Sequence, residues 1–303
     1  MNAVAIVGAT GFLGRPLVAA LLARGDAVTV LGRHPRPAGF PPGVRSAPYD
    51  PNSELPLPDV FEGADAVVNL AGETIGGRWS EEKKRKIYHS RVGGTRHLVA
   101  SLAACRVKPK LLISASGAGY YGSRGDDILV ESSPPGDDFL ARLSIDWERE
   151  AETAADLGMR VVRLRQGIVL GKNGGALAAM LPPFKLGLGG PFGSGSQWWP
   201  WIHIEDDIAL MLFALDHPEI SGPVNAVSPG LVRNEAFAKA LGAAIRRPAF
   251  LPAPAFALRV ALGEFADSLL ASQRVLPARA QEAGFSFQFE NVEQALFDVF
   301  GRR

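Results

Sequence analysis

The sequence predicts an α/β protein with a doubly wound parallel sheet and a smaller α/β part toward the C-terminus. Three observations lead to this prediction. Short apolar runs alternate with segments of helical period, a glycine cluster joins the first run to the first helix, and 47% of the residues are apolar against 21% charged. Alternating strands and helices are typical of a parallel sheet covered on both faces, and this composition is sufficient to bury a core.

The predicted strands and helices follow one another through the first half of the chain. Each predicted strand is a short run rich in Val, Ile and Leu; these runs cover residues 3–7, 27–31, 66–70, 110–114 and 160–165. Between them, apolar residues recur at helical spacing over residues 12–23, 81–104 and 139–157. Residues 35–58 hold eight of the 23 prolines, so we expect them to form a surface connection with no helix.

The glycine cluster after the first strand has the spacing of a dinucleotide-binding loop. Gly8, Gly11 and Gly14 form the pattern G-x-x-G-x-x-G. In such a loop the first glycine permits a sharp turn, the second lets the backbone approach a pyrophosphate, and the third lets helix and strand pack closely. The helix that follows supplies N–H groups and the positive end of its dipole. The sequence therefore predicts a Rossmann-type domain that binds a dinucleotide, and the alternative is a tight turn with no ligand.

The end of the second predicted strand distinguishes between two cofactors. A site for NAD has a carboxylate there, which accepts hydrogen bonds from the ribose 2′-hydroxyl. This sequence has no acid in that segment and instead has Arg33 and Arg36. A guanidinium at this position is suited to the 2′-phosphate of NADP. We therefore expect NADP, and the alternative is that both arginines are ordinary surface charges.

The regular alternation of strands and helices ends near residue 182. We expect residues 1–180 to form the NADP-binding domain, with strands that return to it up to about residue 230. Residues 181–303 are expected to form a substrate-side and C-terminal helical domain. No internal repeat is present in the sequence.

Composition and charge argue against several classes of function. The chain carries 32 Lys and Arg against 31 Asp and Glu, which gives no support to nucleic-acid binding. Its single cysteine, Cys105, and its scattered histidines have no metal-ligand spacing, and a lone cysteine indicates a reducing compartment. The longest apolar stretch, residues 249–263, is interrupted by Pro252, Pro254 and Arg259 and is too short to span a bilayer. We expect a cytoplasmic protein that binds a small-molecule substrate and neither nucleic acid nor membrane. The sequence does not decide whether the protein forms an oligomer.

Several longer motifs resemble those of a known superfamily. They are Asn-Leu-Ala-Gly-Glu at 69–73, Ser-Ala-Ser…Gly-Tyr-Tyr-Gly at 114–122, Ser-Pro-Pro-Gly-Asp-Asp-Phe-Leu at 133–140, Gly-Ile-Val-Leu-Gly at 167–171, Leu-Gly-Leu-Gly-Gly-Pro at 186–191 and Trp-Ile-His-Ile-Glu-Asp at 201–206. With the glycine loop, these motifs resemble the extended (atypical) short-chain dehydrogenase/reductase superfamily. Within it they are similar to the NAD(P)-binding, nucleoside-diphosphate-sugar epimerase-like subgroup, which has a short C-terminal domain of its own.

This resemblance implies roles for individual residues around NADP. The residues implied to line the pyrophosphate are those of the glycine loop, namely Gly8, Thr10, Gly11, Phe12, Leu13 and Gly14. Arg33 is implied to contact the 2′-phosphate. The segment implied to line the adenosine ribose comprises Leu70, Ala71 and Gly72. Ser114 and Val169 are implied to lie toward the nicotinamide. Arg91 is implied to contact a phosphate or the substrate, and the alternative is a solvated helix charge.

The proton-transfer pair of this superfamily is missing from the sequence. The pair is Tyr-x-x-x-Lys on one helix, in which the lysine lowers the pKa of the phenol. None of the four tyrosines is followed by lysine four residues later. Ser116 remains as a group that would polarise a carbonyl, and Tyr121 is the candidate substitute acid or base. The alternative for Tyr121 is pocket lining or core packing.

Two functions of different classes follow from these features. The first is an NADP(H)-binding oxidoreductase or epimerase-like enzyme that acts on a small hydroxyl or carbonyl substrate, with Ser116 and Tyr121 as its catalytic residues. The second is a non-catalytic NADP-binding redox sensor or scaffold, which the missing Tyr-x-x-x-Lys pair favours. The sequence does not identify the substrate.

Overall fold

The computed structural model describes residues 2–33, 39–41, 43–51, 53, 56–172 and 174–301, and Arg36 lies outside this part. Within it the strands are β1 (Ala3–Val7), β2 (Ala27–Gly32), β3 (Arg45–Pro48), β4 (Ala66–Asn69), β5 (Leu111–Gly117), β6 (Ile128–Leu129), β7 (Arg160–Gln166), β8 (Ile168–Leu170), β9 (Trp201–His203), β10 (Gly222–Ala226) and β11 (Arg274–Val275). The α-helices are α1 (Gly14–Ala23), α2 (Glu81–Tyr88), α3 (Gly94–Ala104), α4 (Phe139–Glu152), α5 (Gly175–Lys185), α6 (Ile204–Asp216), α7 (Asn234–Ala244), α8 (Ala255–Leu262), α9 (Phe265–Leu270), α10 (Ala278–Glu282) and α11 (Val292–Gly301).

Seven of these strands form one parallel sheet in the order β3-β2-β1-β4-β5-β7-β10. From β1 the chain passes to β2 and β3 on one side, and later to β4 and the remaining strands on the other. Ligands of open α/β sheets bind at such a switch point, outside the carboxyl ends of the strands. The predicted doubly wound fold is thereby confirmed.

Apolar side chains cover both faces of the sheet, because successive residues of a strand point to opposite faces. Ile6 of β1 packs with Leu17 of α1 and Leu210 of α6 in the core on one face. Val7, the next residue along, packs with Leu98 and Leu102 of α3 on the other face. The sheet is therefore buried on both sides, which leaves its strand ends to form a site.

A second core lies beside the sheet and joins α5, α7 and α11. Trp199 and Trp201 are almost fully buried in it, and the indole Nε1 of Trp201 donates to the carbonyl of Gly230 at 2.6 Å. Buried tryptophans of this kind have their polar atom paired. The short parallel pair of β8 and β9 contributes Leu170 and Trp201 to this core.

Three predicted elements differ from those observed. The connection over 35–58 contains β3, an edge strand ending at Pro48; an edge position tolerates proline because one side of the strand needs no partner. The predicted helix 81–104 is α2 and α3 joined by a π-helical segment, His89–Gly93. The predicted strand 110–114 continues to Gly117, which brings Ser116 into the sheet.

Candidate functional site

Gly8 and Gly14 of the glycine loop pack so closely on their surroundings that neither position has room for a side chain. Gly8 has a φ of +84°, and a Cβ built on it would lie 2.8 Å from the carbonyl carbon of Leu70. A Cβ on Gly14 would lie 2.4 Å from the carbonyl oxygen of Gly8. The N–H of Gly11 donates to that same oxygen at 3.0 Å, and Thr10 and Gly11 are exposed. The loop therefore presents bare backbone at the start of α1, which is the surface that a pyrophosphate needs.

We refer to the space outside the carboxyl ends of β1 and β4, at the switch point of the sheet, as the crevice. The glycine loop forms one wall of it, and the segment after β4 forms the other. The N–H of Leu70 donates to the carbonyl of Val7 at 2.9 Å. Buried Asn69 accepts from the N–H of Ala71 at 3.3 Å, and its amide donates to Thr95 at 3.1 Å. These bonds hold Leu70, Ala71 and Gly72 directly beside the glycine loop, so the structure brings together the two segments predicted for the pyrophosphate and the ribose.

Arg33 lies on the other side of the loop, one residue after β2. Its side chain is exposed, and the preceding strand residues Val30 and Leu31 pair with Ile6 and Val7 of β1. Among the described residues that follow β2, the first acid is Asp50. This end of the crevice therefore carries positive charge where a site for NAD has a carboxylate.

Arg91, in the π-helical segment, packs against the segment that follows β4. Its Nη1 donates to the carbonyl of Glu73 at 2.8 Å, and its guanidinium lies over the ring of Trp147, 5.2 Å from the ring centre. A Cβ on Gly72 would lie 3.0 Å from the Arg91 Cζ. Burial lowers the pKa of Arg91 to about 10. The side chain is thus packed behind the wall, which differs from the solvated charge considered as one alternative.

Phe12 and Val169 line the side of the crevice nearest the second core. Cβ atoms built on Gly171, Gly174 and Gly175 would lie 2.6–2.9 Å from the Phe12 ring, so the ring occupies a groove that only glycines leave open. Val169, on β8, is partly buried against the first core. Leu13 also packs on that core. The loop thus directs the side chains of Phe12 and Leu13 into the protein, while Thr10 and Gly11 remain exposed.

Ser114 and Ser116 lie inside the sheet instead of on its rim. Ser114 is buried opposite Asn69. The Oγ of Ser116 donates to the carboxylate of Glu148 at 2.7 Å, and Arg165 donates to the same carboxylate from Nε and Nη2 at 2.8 and 2.9 Å. Burial lowers the pKa of Arg165, but the hydrogen bonds and charge of Glu148 outweigh burial and raise it overall. Ser116 thus donates a hydrogen bond to the buried Glu148–Arg165 ion pair.

Tyr121 belongs to the same group of side chains. It is fully buried, its hydroxyl donates to Asn225 Oδ1 at 2.6 Å, and it accepts from Arg165 Nη1 at 3.0 Å. Burial raises the pKa of Tyr121 to about 12, although Arg165 acts in the opposite direction. The hydroxyl therefore has both a donor and an acceptor within the core, which favours the core-packing alternative for this residue.

We refer to this group as the polar cluster; its members are Ser116, Tyr121, Glu131, Glu148, Arg165 and Asn225. Glu131 completes it by accepting from the N–H groups of Asn225 and Arg279 at 3.0 and 3.2 Å. Sequence reasoning missed Glu131, Glu148, Arg165 and Asn225. One signal was available, because Arg165 lies within a strand that a doubly wound fold buries on both faces, and a buried charge requires a partner.

A second buried acid was also missed. Asp207 of α6 is completely buried, and one of its oxygens accepts from Gln166 Nε2, at the end of β7, at 2.8 Å. The other oxygen has no hydrogen-bond partner in the part of the chain that the structure describes. Burial raises the pKa of Asp207 to about 7. Its carboxyl group therefore titrates near neutral pH instead of remaining ionised.

The fold and the crevice define a class of protein, the α/β proteins that bind a dinucleotide on a glycine loop at the switch point of a parallel sheet. Family comparison is more specific. The sequence matches the NAD dependent epimerase/dehydratase family over residues 4–227 and the domain of unknown function DUF1731 over residues 253–299. The chain belongs to the NAD dependent epimerase/dehydratase family. The resemblance to extended short-chain dehydrogenases and its C-terminal domain is thereby confirmed.

Individual relatives support the same assignment. The chloroplastic homolog of epimerase family protein SDR39U1 from Arabidopsis thaliana is 42% identical, over 97% of this chain and 85% of its own length. Epimerase family protein YfhF of Bacillus subtilis is 37% identical, over 99% and 98%. The crystal structure of human epimerase family protein SDR39U1 with NADPH has a TM-score of 0.88 and 36% identity, and the match covers 99% of this chain and 100% of that one. A nucleoside-diphosphate sugar epimerase from Corynebacterium glutamicum has a TM-score of 0.79 and 35% identity, over 99% of this chain and 58% of that one.

Proposed function

We propose that this protein binds NADP(H) in the crevice between β1 and β4, and that it is an oxidoreductase or epimerase-like enzyme acting on a small hydroxyl or carbonyl compound. One observation carries the proposal: the bare backbone of Gly8–Gly14 faces a crevice with Arg33 at the end where a site for NAD has an acid. The human relative crystallised with NADPH supports the same cofactor.

The residues present fit this cofactor along the length of the crevice. The backbone of Thr10 to Leu13 would hold the pyrophosphate at the start of α1. Arg33 would hold the 2′-phosphate, because a guanidinium matches phosphate geometry. Leu70 to Gly72 would contact the adenosine ribose. Val169 would lie toward the nicotinamide, with Gly117 at the end of β5 in place of Ser114, which is buried within the sheet. When it is bound, NADPH supplies a hydride for reduction of the substrate.

The side chains of the polar cluster are proposed to position the end of β5. Ser116 and Tyr121 are held by Glu148, Arg165 and Asn225, so their hydroxyl groups are occupied within the protein. We therefore propose that they keep the strand end in place and that neither transfers a proton to the substrate. This replaces the expectation that Ser116 polarises a carbonyl and Tyr121 acts as acid or base.

We further propose two functional parts. Residues 1–180, with the strand that returns as β10, bind the cofactor, and residues 181–303 otherwise form the substrate side. The separate family matches over residues 4–227 and 253–299 support a division of this kind.

The second candidate is a non-catalytic NADP(H)-binding sensor or scaffold. Two observations favour it: the sequence has no Tyr-x-x-x-Lys pair, and the candidate substitute Tyr121 is enclosed in the polar cluster. Such a protein would use the same crevice but would not turn over a substrate.

Two measurements, made one after the other, test these proposals. Calorimetric titration with NADPH and NADH measures binding; we expect NADPH to bind at least about tenfold more tightly, because the 2′-phosphate adds a charge-assisted contact. Equal affinity for the two cofactors would contradict the NADP assignment. Loss of reduced-nicotinamide absorbance is then followed across a panel of aldehydes, ketones and nucleoside-diphosphate sugars. Oxidation of NADPH by an aldehyde or ketone, or conversion of a nucleoside-diphosphate sugar into its epimer without net oxidation of the cofactor, supports the enzyme. Binding of NADPH with neither outcome supports the sensor or scaffold.

The variant Tyr121→Phe tests the role of the phenol. If Tyr121 only positions β5, turnover with an active substrate and NADPH affinity should stay within about threefold, since an essential acid or base contributes about 10²–10⁴-fold. The free energy of unfolding should fall by about 1 kcal/mol through loss of the buried hydrogen bonds. A fall in turnover of 100-fold or more with unchanged NADPH affinity would restore Tyr121 as the acid or base.

A further inference from the structure

Most of the exposed large apolar side chains lie in the C-terminal half of the chain, far along the sequence from the glycine loop. Ten large apolar residues in the described part of the chain are exposed, and six of them lie between residues 186 and 260. We refer to these six as the apolar face; they are Leu186, Leu188, Phe250, Leu251, Phe256 and Val260. Four of the six expose 70% or more of their surface. Patches of this kind on soluble domains mark interaction sites.

Backbone hydrogen bonds bring the two segments of the apolar face together. The N–H of Leu251 donates to the carbonyl of Gly189 at 3.2 Å, and that of Ala253 donates to Pro191 at 2.8 Å. Helix α8 follows directly and has no buried residue. Phe256 and Val260 are one turn apart on it, so they share a side of the helix. The six side chains therefore belong to one continuous surface strip.

The charges of the same segments are of one sign. Residues 172–193 and 236–263 contain no Asp or Glu and six basic residues, which are Lys172, Lys185, Lys239, Arg246, Arg247 and Arg259. Lys239 pairs with Glu235 and Arg259 with Asp267. The other four form no ion pair with any residue that the structure describes. The whole chain carries only one more basic than acidic residue, so this concentration of charge is local.

A groove on this strip combines both properties. It has a volume of about 490 Å³ and is lined by Ala178, Leu181, Pro182 and Leu186, with Lys172 and Lys185 at its edge. Apolar side chains flanked by Lys and Arg are typical of surfaces that lie in the interface of a bilayer, with apolar groups at the acyl boundary and cations on lipid phosphates.

We propose that the apolar face binds the surface of a bilayer containing anionic lipids. Phe250, Phe256 and Val260 would enter the headgroup region, and Arg246 and Arg247 would contact lipid phosphates. A second copy of the chain is a poorer occupant, because a two-fold interface would bring the same basic residues against one another.

This attachment differs from a membrane span. None of the helices in the described ranges is long and apolar enough to cross a membrane. Residues 249–263, which the sequence analysis set aside as too short and too interrupted to span, instead lie along the surface as a loop and α8. The sequence alone predicts no membrane partner, because it has no spanning stretch and no charge or periodicity pattern typical of membrane binding; the apolar face departs from that prediction.

Vesicle flotation tests the proposal on the full chain. Vesicles of phosphatidylcholine with phosphatidylglycerol are compared with vesicles of phosphatidylcholine alone. We expect the protein to float with the anionic vesicles and to remain behind with the zwitterionic ones, and high salt should release it because the charges are exposed. Recovery of the protein away from both kinds of vesicle would overturn the proposal.

Variants identify the surface. The pair Phe256→Ser with Val260→Ser, and the pair Arg246→Gln with Arg247→Gln, should each lower the partition coefficient at least about tenfold. The matched control is Phe297→Ser on α11, which is 64% exposed and lies outside the strip; it should change partition by less than about twofold. NADPH affinity reports folding and should be unchanged in all three. Equal losses for the control and the test pairs would overturn the assignment, as would a dimer in sedimentation that only Phe256→Ser with Val260→Ser dissolves.

Discussion

The crevice and the polar cluster lie at the same edge of one sheet, but their polar groups have opposite surroundings. In the crevice, between β1 and β4, Thr10 and Gly11 are exposed, and there is no room for a side chain at Gly8 or Gly14. In the cluster, behind β5 and β7, Ser116 and Tyr121 find their partners within the protein. The first arrangement leaves hydrogen-bonding capacity for a ligand, and the second uses that capacity for the fold.

This difference shows why residue type alone is a poor guide to the site. Serine and tyrosine are the residues that catalyse in related folds, whereas glycine has no functional group. Here the glycines form the surface that meets a ligand, because only they allow the backbone to approach. The hydroxyl groups of Ser116 and Tyr121 are hydrogen-bonded within the protein, because buried polar groups must be paired. Four variants test this contrast.

The largest effect is expected from Arg165→Met, which removes the cation that hydrogen-bonds to the buried Glu148 carboxylate and leaves it only the more distant Arg163, at 3.8 Å. Removal of one partner of a buried pair costs about 3–5 kcal/mol of unfolding free energy, measured by urea denaturation. Arg149→Gln is the control, since Arg149 pairs with Asp146 while 65% exposed, and such pairs contribute less than about 1 kcal/mol. If the two variants lost the same stability, the cluster would not be the structural element described.

Gly14→Ala tests the crevice in the same way. Its Cβ would overlap the carbonyl of Gly8 and the backbone of Ala9, so the loop must move, and we expect NADPH affinity to fall about 100-fold, equivalent to about 2.7 kcal/mol. Calorimetry measures this loss. Gly25→Ala is the control at the other end of α1: Gly25 has open space around it and, unlike Gly14, a positive φ. It should cost about 1–2 kcal/mol of stability with little change in affinity; an equal loss of affinity in both variants would contradict a role for close approach.

Arg33→Gln sharpens the assignment of one end of the crevice. Loss of a charge-assisted contact to the 2′-phosphate should weaken NADPH binding about tenfold. NADH affinity should change by less than about twofold, because NADH has no 2′-phosphate. Arg106→Gln, at a side chain that is 90% exposed, is the control and should affect neither. A parallel loss of both cofactors in Arg33→Gln would show that Arg33 acts on the fold of the loop instead.

The last effect concerns Asp207, a buried group with an unsatisfied oxygen. Burial raises its pKa from an ordinary value of 3.8 to about 7 in the folded protein, so the folded state retains a proton that the unfolded state releases. Stability therefore falls as pH rises between about 4 and about 7, and remains low above that range. Asp207→Asn cannot ionise and should be more stable than the parent at about pH 8, by on the order of 1–3 kcal/mol, with little difference near pH 4.

Urea denaturation at both pH values measures the effect of Asp207→Asn. Asp137→Asn is the control, because Asp137 is exposed, and it should leave the pH dependence of stability unchanged. A parent protein as stable at about pH 8 as at about pH 4, with Asp207→Asn no more stable than the parent at either value, would contradict a carboxyl group that titrates near neutral pH in the fold.

Local patterns predicted the elements that depend on local physics. The strand at residues 3–7 and the glycine loop were both predicted correctly, because apolar runs and glycine spacing are properties of neighbouring residues. The edge strand β3 was missed, since Arg45–Pro48 is neither apolar nor regular and pairs only because β2 lies beside it. The division of helix 81–104 was missed because a π-helical segment leaves no signal in apolar spacing.

The sequence by itself determined the doubly wound fold, the glycine loop and the basic residue after β2, because each depends on the spacing of residues that are close together along the chain. Only the tertiary structure shows the partners of Ser116 and Tyr121. Their partners Glu148 and Asn225 are 32 and 104 residues away along the chain, and a hydroxyl group acts on a ligand or on the fold according to what lies within about 3 Å of it. The tertiary structure also joined residues 186–193 and 248–262 into one exposed apolar face, because backbone pairing between distant segments places their side chains side by side.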